Sequence, residues 1–268
     1  MTPAATFLGG AASRLLPASV PIRFFAAAAI FHVLMWLALF EASDDITHFR
    51  GGIGPALAAV HVLTVGVLMT TAIGASVQLL PVVTRRTLIA VWPIKLVFWL
   101  VVPGLSALVI GMCAPDVAIA IAGGGVTAVG LLIYAALLAD NLRRARGIAV
   151  VVAYGWTAVA ALVALVALGL ALLSDYEAAF LPDHANAALA HLILGGFGFM
   201  GMLALGFSHI LVPMFALSSA PAFGPGIAAF GTRQRRWWWV SPGHGSDSPT
   251  FWQRRRSAVS PPPLRMSY

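Results

Sequence analysis

Six stretches of this chain carry at most one charge over lengths near or above the ~20 residues that a helix needs to cross a bilayer. They are residues 24–40, 54–84, 87–115 (interrupted by Lys95), 117–139, 147–174, and from 185 past 220. Ala, Leu, Val and Gly dominate all six, without the strict alternation of a membrane barrel strand. Composition agrees: 60% of the residues are apolar and 9% charged, against roughly 25% charged in soluble domains. Mean hydropathy is +0.92. A soluble fold of 268 residues has no way to hide that much apolar surface. A soluble enzyme, a disordered chain and a disulfide scaffold are excluded, the last because Cys113 is the only cysteine. The expected fold is all-α, a polytopic transmembrane bundle of about six helices in the lipid bilayer.

Charge gives the expected orientation. Arg14, Arg23, Arg85, Arg86, Arg143, Arg144 and Arg146 fall on one side of the alternating spans, with Asp140. Glu41, Asp44, Asp45, Asp116, Asp175, Glu177 and Asp183 fall on the other, with Arg50. The positive-inside rule then puts both termini in the cytoplasm. Residues 1–20 read as a cytoplasmic arm without signal-peptide features, residues 21–217 as the six-helix domain, and 218–268 as a tail. The tail holds most of the net charge of +7: residues 231–268 contain seven Arg and one acid, Asp247. It reads either as a basic, aromatic segment lying on anionic lipid or as an out-of-frame translation. With the excess charge confined there, no basic face for nucleic acid is evident.

Residues 66–81 (GVLMTTAIGASVQLLP) and 198–213 (GFMGMLALGFSHILVP) align without gaps at an offset of 132. They share Gly66/Gly198, Ala72/Ala204, Gly74/Gly206, Ser76/Ser208, Leu79/Leu211 and Pro81/Pro213. Both stretches run in the same direction through the membrane, so the match reads as a parallel duplication. The paired glycines admit either a helix backbone or a flat ring at close range. The prolines are expected to end or kink their helices.

Histidine inside a membrane is costly and is a functional hypothesis by default. His61 lies about two turns into the second span and His191 one to two turns into the sixth, both from the acidic side. At equal depth, they could ligate one haem iron axially. With His184 or His48 from the adjoining loops, they could instead hold copper or zinc. The competing reading gives each imidazole a backbone carbonyl or a hydroxyl in ordinary packing. The repeat puts His191 opposite Ala59 and His61 opposite Ile193, two positions and about 200° out of step. His32 falls mid-span, His209 near the arginine side, and His244 in the tail. Lys95 is expected to snorkel, Gln78, Ser76 and Ser208 to bond within the bundle, and Trp92, Trp99, Tyr134, Tyr154 and Trp156 to pack or anchor. No carboxylate is expected inside a span. No phosphate loop, His-Glu-x-x-His or nucleophile elbow occurs.

Pro21-Ile-Arg-Phe-Phe25, His61-x-Leu-Thr-Val-Gly66 with Leu79-Leu-Pro81, and the stretch from His191 to Leu211-Val-Pro-Met-Phe215 resemble bacterial membrane proteins related to haem–copper oxidase subunit I. The NnrS-like proteins of nitric-oxide metabolism are more distantly similar. The resemblance covers three of the six helices. It implies a bacterial inner-membrane location and a low-spin haem b on His61. Gly198-Phe199 matches the Gly-aromatic step that follows the family's His-x-His, of which only His191 is present. The adjacent His-His pair and the His-Pro-Glu motif for copper are absent. The resemblance therefore implies haem binding without competent oxygen reduction, and a chain with about half the helices of its relatives. The expected role is electron transfer with respiratory partners, or handling of nitric oxide or oxygen. The alternative is a cofactor-free transporter or an assembly partner of respiratory complexes.

Overall fold

The computed structural model describes residues 12–47, 49, 51–146 and 149–218. Residues 1–11 of the arm, His48, Arg50, and the tail beyond residue 218 with His244 lie outside the described residues. Six helices are long and apolar enough to cross a membrane: α1 (Ser19–Glu41), α2 (Pro55–Val83), α3 (Trp92–Cys113), α4 (Val117–Arg143), α5 (Ala149–Ala178) and α6 (His184–Phe215). The chain is an all-α, multi-pass integral membrane protein. Its outward surface fits that solvent: Trp36, Trp92, Trp99 and Phe215 are exposed, as lipid-facing side chains should be and solvated ones rarely are.

The helix ends follow local chemistry. Asp116 caps α4 by accepting the Ile119 N–H at 3.0 Å, and Asp183 caps α6 by accepting the Asn186 N–H at 2.9 Å. Pro55 opens α2, where its missing N–H costs nothing. Pro81 and Pro213 lie inside α2 and α6, each two residues before the helix stops. Lys95 is exposed in the first turn of α3, at the helix end. Asp140, Asp175 and Glu177 belong to the last turns of α4 and α5, because those helices run past the uncharged stretches.

Helices adjacent in the chain pack on one another, α3 against α4 most extensively. A methyl group at Gly111 or Gly123 would overlap the backbone of Ala120 or Leu108, so these two helices meet backbone to backbone. At the arginine end the α2–α3 and α4–α5 turns are joined. Buried Thr84 and Asn141 lie 2.7 Å apart, oxygen to oxygen. Asn141 Nδ2 donates to the Arg86 carbonyl at 2.9 Å, and Arg86 Nε donates to the Arg144 carbonyl at 2.7 Å. The segment before α1 is docked as well. Leu16 is buried, and its N–H donates to Gln78 Oε1 at 3.2 Å. Gln78 therefore satisfies the entering chain rather than a neighbouring helix.

Helices α2 and α6 share an irregularity. Each switches from α to π geometry for eight residues, Val62–Met69 in one and Leu194–Gly201 in the other, then returns to α for fourteen, Thr70–Val83 and Met202–Phe215. Every boundary repeats at the sequence offset of 132 (194 against 62, 202 against 70). The packing repeats too. A Cβ on Gly66 would lie 2.8 Å from Phe31 of α1, and one on Gly198 would lie 2.8 Å from Ala161 of α5. For Gly74 and Gly206 the nearest atoms are Phe24 Cβ and Tyr154 Cβ, both at 3.0 Å. The repeated glycines thus seat α2 on α1 and α6 on α5.

Candidate functional site

Each π stretch begins beside a histidine: directly after His61, and three residues after His191. Such stretches are rare and gather at functional sites, because the widened turn re-aims the residues around it. His61 is the seventh residue of α2 and His191 the eighth of α6. At 1.5 Å per residue, both lie about 10 Å below the acidic ends of their helices.

The fold brings these two rings together. Their centres are 6.4 Å apart and their planes 28° from parallel. His61 Nδ1 lies 3.0 Å from the Leu57 carbonyl of its own helix. His191 Nδ1 lies 3.1 Å from the Leu165 carbonyl of α5. A carbonyl can only accept, so in both rings Nδ1 donates, and in the neutral imidazole that leaves the lone pair on Nε2. That is the tautomer of a metal-ligating histidine whose other nitrogen is held by the protein. One metal atom bonded to both rings at about 2 Å would place the ring centres roughly 6 Å apart. The spacing of the two ring centres would allow His61 and His191 to hold one metal atom between them.

The other histidines stand elsewhere. His184 lies two turns from His191 on the same helix. Its Nδ1 is 2.8 Å from Asp175 Oδ2, and its ring meets Tyr176 edge-on at 5.0 Å. Asp175 also accepts the Leu181 N–H at 2.6 Å, closing the α5–α6 turn. His184 thus serves that turn and is not part of the pair. His209 Nδ1 lies 2.7 Å from the Leu205 carbonyl, with its ring 5.4 Å from that of Tyr154. His32 is exposed on α1 beside Trp36. Among the described residues, no group of three or more His, Cys, Asp or Glu is placed to hold a metal ion.

Two supporting residues escaped the sequence. Gly169 of α5 faces His191: a Cβ there would lie 2.8 Å from the ring's Cε1. Its only signal was being an isolated glycine in a run of Ala, Leu and Val. Tyr134 of α4 is fully buried between the repeated helices. Its hydroxyl lies 2.6 Å from Ser76 Oγ of α2, and its ring stands edge-on to Phe199 of α6 at 6.2 Å. In the sequence Tyr134 reads as a packing or anchoring aromatic, with no sign that it joins α2 to α6.

In comparisons with known proteins, no family model, no curated protein and no solved structure matches the chain.

Proposed function

We propose that the chain binds one b-type haem between α2 and α6 through His61 and His191, in a bacterial inner membrane. One observation supports this above the others: two intramembrane imidazoles face each other at 6.4 Å with both Nδ1 atoms engaged by carbonyls. Carbonyl bonding alone would not distinguish the pair, since His209 bonds its own helix in the same way. The facing of two such rings is what ordinary packing does not require.

Ligand count favours haem over a bare ion. Zinc or copper in a protein site takes three or four ligands, and the described residues group no third donor with the pair. A porphyrin supplies four equatorial nitrogens and needs only two axial ones. Copper on the same two histidines is the lesser form of this reading. When bound, haem supplies one-electron redox chemistry. His61 and His191 would hold it, and electron transfer would be its role. Handling of nitric oxide or oxygen is the other form of this role. Kinship with haem–copper oxidase subunit I, respiratory electron-transfer partners and exclusion of rapid oxygen reduction belong to this same proposal.

The second reading is a cofactor-free transporter or assembly partner, and the carbonyl bond on each ring is the observation in its favour. A reduced-minus-oxidised visible spectrum of detergent-purified protein, made with ample haem, separates the two. A sharp low-spin haem band in the wild type, absent from His61→Ala and His191→Ala, supports the bis-histidine site. A flat wild-type spectrum removes it.

A further inference from the structure

We infer that Gly169 is the positioning residue for His191, a role that rests on the haem reading for its purpose but not for its geometry. In a helix each Cα–Cβ bond tilts toward the N-terminus. A side chain at position 169 would therefore lean back over the turn that carries the Leu165 carbonyl. That carbonyl is the acceptor for His191 Nδ1, at 3.1 Å. With glycine at 169, the imidazole of α6 occupies the place a side chain of α5 would take. A methyl there would stand 2.8 Å from His191 Cε1 and 3.4 Å from Nδ1. Real Cβ contacts are not that close to a ring carbon, so something must move.

What moves is the ring. The nearest atoms are all in the His191 imidazole, a side chain with two rotatable bonds, whereas the α5 backbone is fixed by its own hydrogen bonds. Tipping the ring off Gly169 pulls Nδ1 from the Leu165 carbonyl. The proton is then no longer confined to Nδ1, and the lone pair on Nε2 is no longer guaranteed. His61 has no such dependence, because its acceptor, Leu57, lies one turn back on its own helix. The two imidazoles are thus held unequally: one is set within α2, the other by contact between α5 and α6. Gly169 acts through His191 and is not itself a ligand.

Gly198→Ala is the matched control. Its added methyl would meet Ala161 of α5 at 2.8 Å, loading the same helix pair without touching His191. Full-length wild type, Gly169→Ala and Gly198→Ala are compared in detergent by two measurements. The first is the visible spectrum of haem-loaded protein. Gly169→Ala should lose most of its low-spin band to a high-spin form, and added imidazole should restore it. Gly198→Ala should keep the band. The second is 15N NMR of haem-free protein labelled at histidine, with His191→Ala identifying the signal. Wild type and Gly198→Ala should show His191 as the Nδ1–H tautomer, and Gly169→Ala a mixture. A wild-type band or a pure Nδ1–H tautomer in Gly169→Ala overturns the inference, as does equal loss in Gly198→Ala. A flat wild-type spectrum removes the haem reading, and the NMR comparison still decides the role of Gly169.

Discussion

Helix pairs α1–α2 and α5–α6 are built on one plan and used for different ends. Their second members share segment boundaries, π stretches, terminal prolines and glycine contacts at an offset of 132. They differ in surroundings. The apolar window of α2 is 44% buried and that of α6 22% buried, because α2 also packs on α3 while α6 rests mainly on α5. They differ again in their histidines, which are not repeat equivalents yet face each other. The scaffold repeats and the chemistry does not. The two histidines are thus brought together by the fold and not by the repeat.

The largest effect should come from forcing the histidines into register. The double change His191→Ile with Ile193→His puts the sixth-helix imidazole at the repeat equivalent of His61. Two residues turn it by about 200° around an α-helix. The low-spin haem band should disappear as completely as in His191→Ala, although composition is unchanged. Retention of the band would mean that the helix rotates freely enough to make register irrelevant.

Next in size is the α3–α4 contact, which lies outside the repeat. Gly111→Leu forces two touching backbones apart and should cost more than either repeat glycine, since overpacking a side-chain contact costs about 1–3 kcal/mol. Thermal unfolding in detergent would show it as the largest loss of stability among glycine variants. Equal loss from Gly125→Leu, where nothing lies within 4 Å, would point to backbone propensity instead.

The repeat itself is tested by Gly74→Ala and Gly206→Ala. The nearest atom to the added methyl is at 3.0 Å in both, with Phe25 and the Pro21 carbonyl also within 3.3 Å at Gly74, so both should lose stability, roughly 1–2 kcal/mol, Gly74→Ala somewhat more. A difference of several fold would show that the surroundings of α2 and α6 outweigh their common packing.

The paired serines should differ, and one of them carries the smallest effect of all. Ser76→Ala leaves the buried Tyr134 hydroxyl without its 2.6 Å partner, which should cost about 1–3 kcal/mol. Among the described residues Ser208 bonds only the Leu205 carbonyl of its own helix, so Ser208→Ala should be close to neutral in the same assay. Equal losses would remove Tyr134 as the joint between α2 and α6.

Much of this was legible in the sequence because a bilayer leaves few choices. Uncharged runs of sufficient length must become helices, since only a helix satisfies its own backbone in hydrocarbon. Six runs gave six helices, with ends extended where Glu41, Asp140 and Asp175 could still reach the interface. The repeat was visible through its glycines and prolines, whose backbone and packing effects are local. The π stretches were not, because inserting one wider turn changes no residue type.

By itself, the sequence determined the number of spans, the like placement of polar groups along α2 and α6, and the depth of His61 and His191, all of which follow from counting residues along an axis. Rotation about that axis is a different quantity. It is set by which glycine seats on which neighbour and by where the backbone widens, and both depend on contacts between residues far apart in the chain. Counting in an α-helix set the two histidines about 200° out of step. Only the tertiary structure turned α2 and α6 so that the two rings face, and placed Gly169 of a third helix behind one of them.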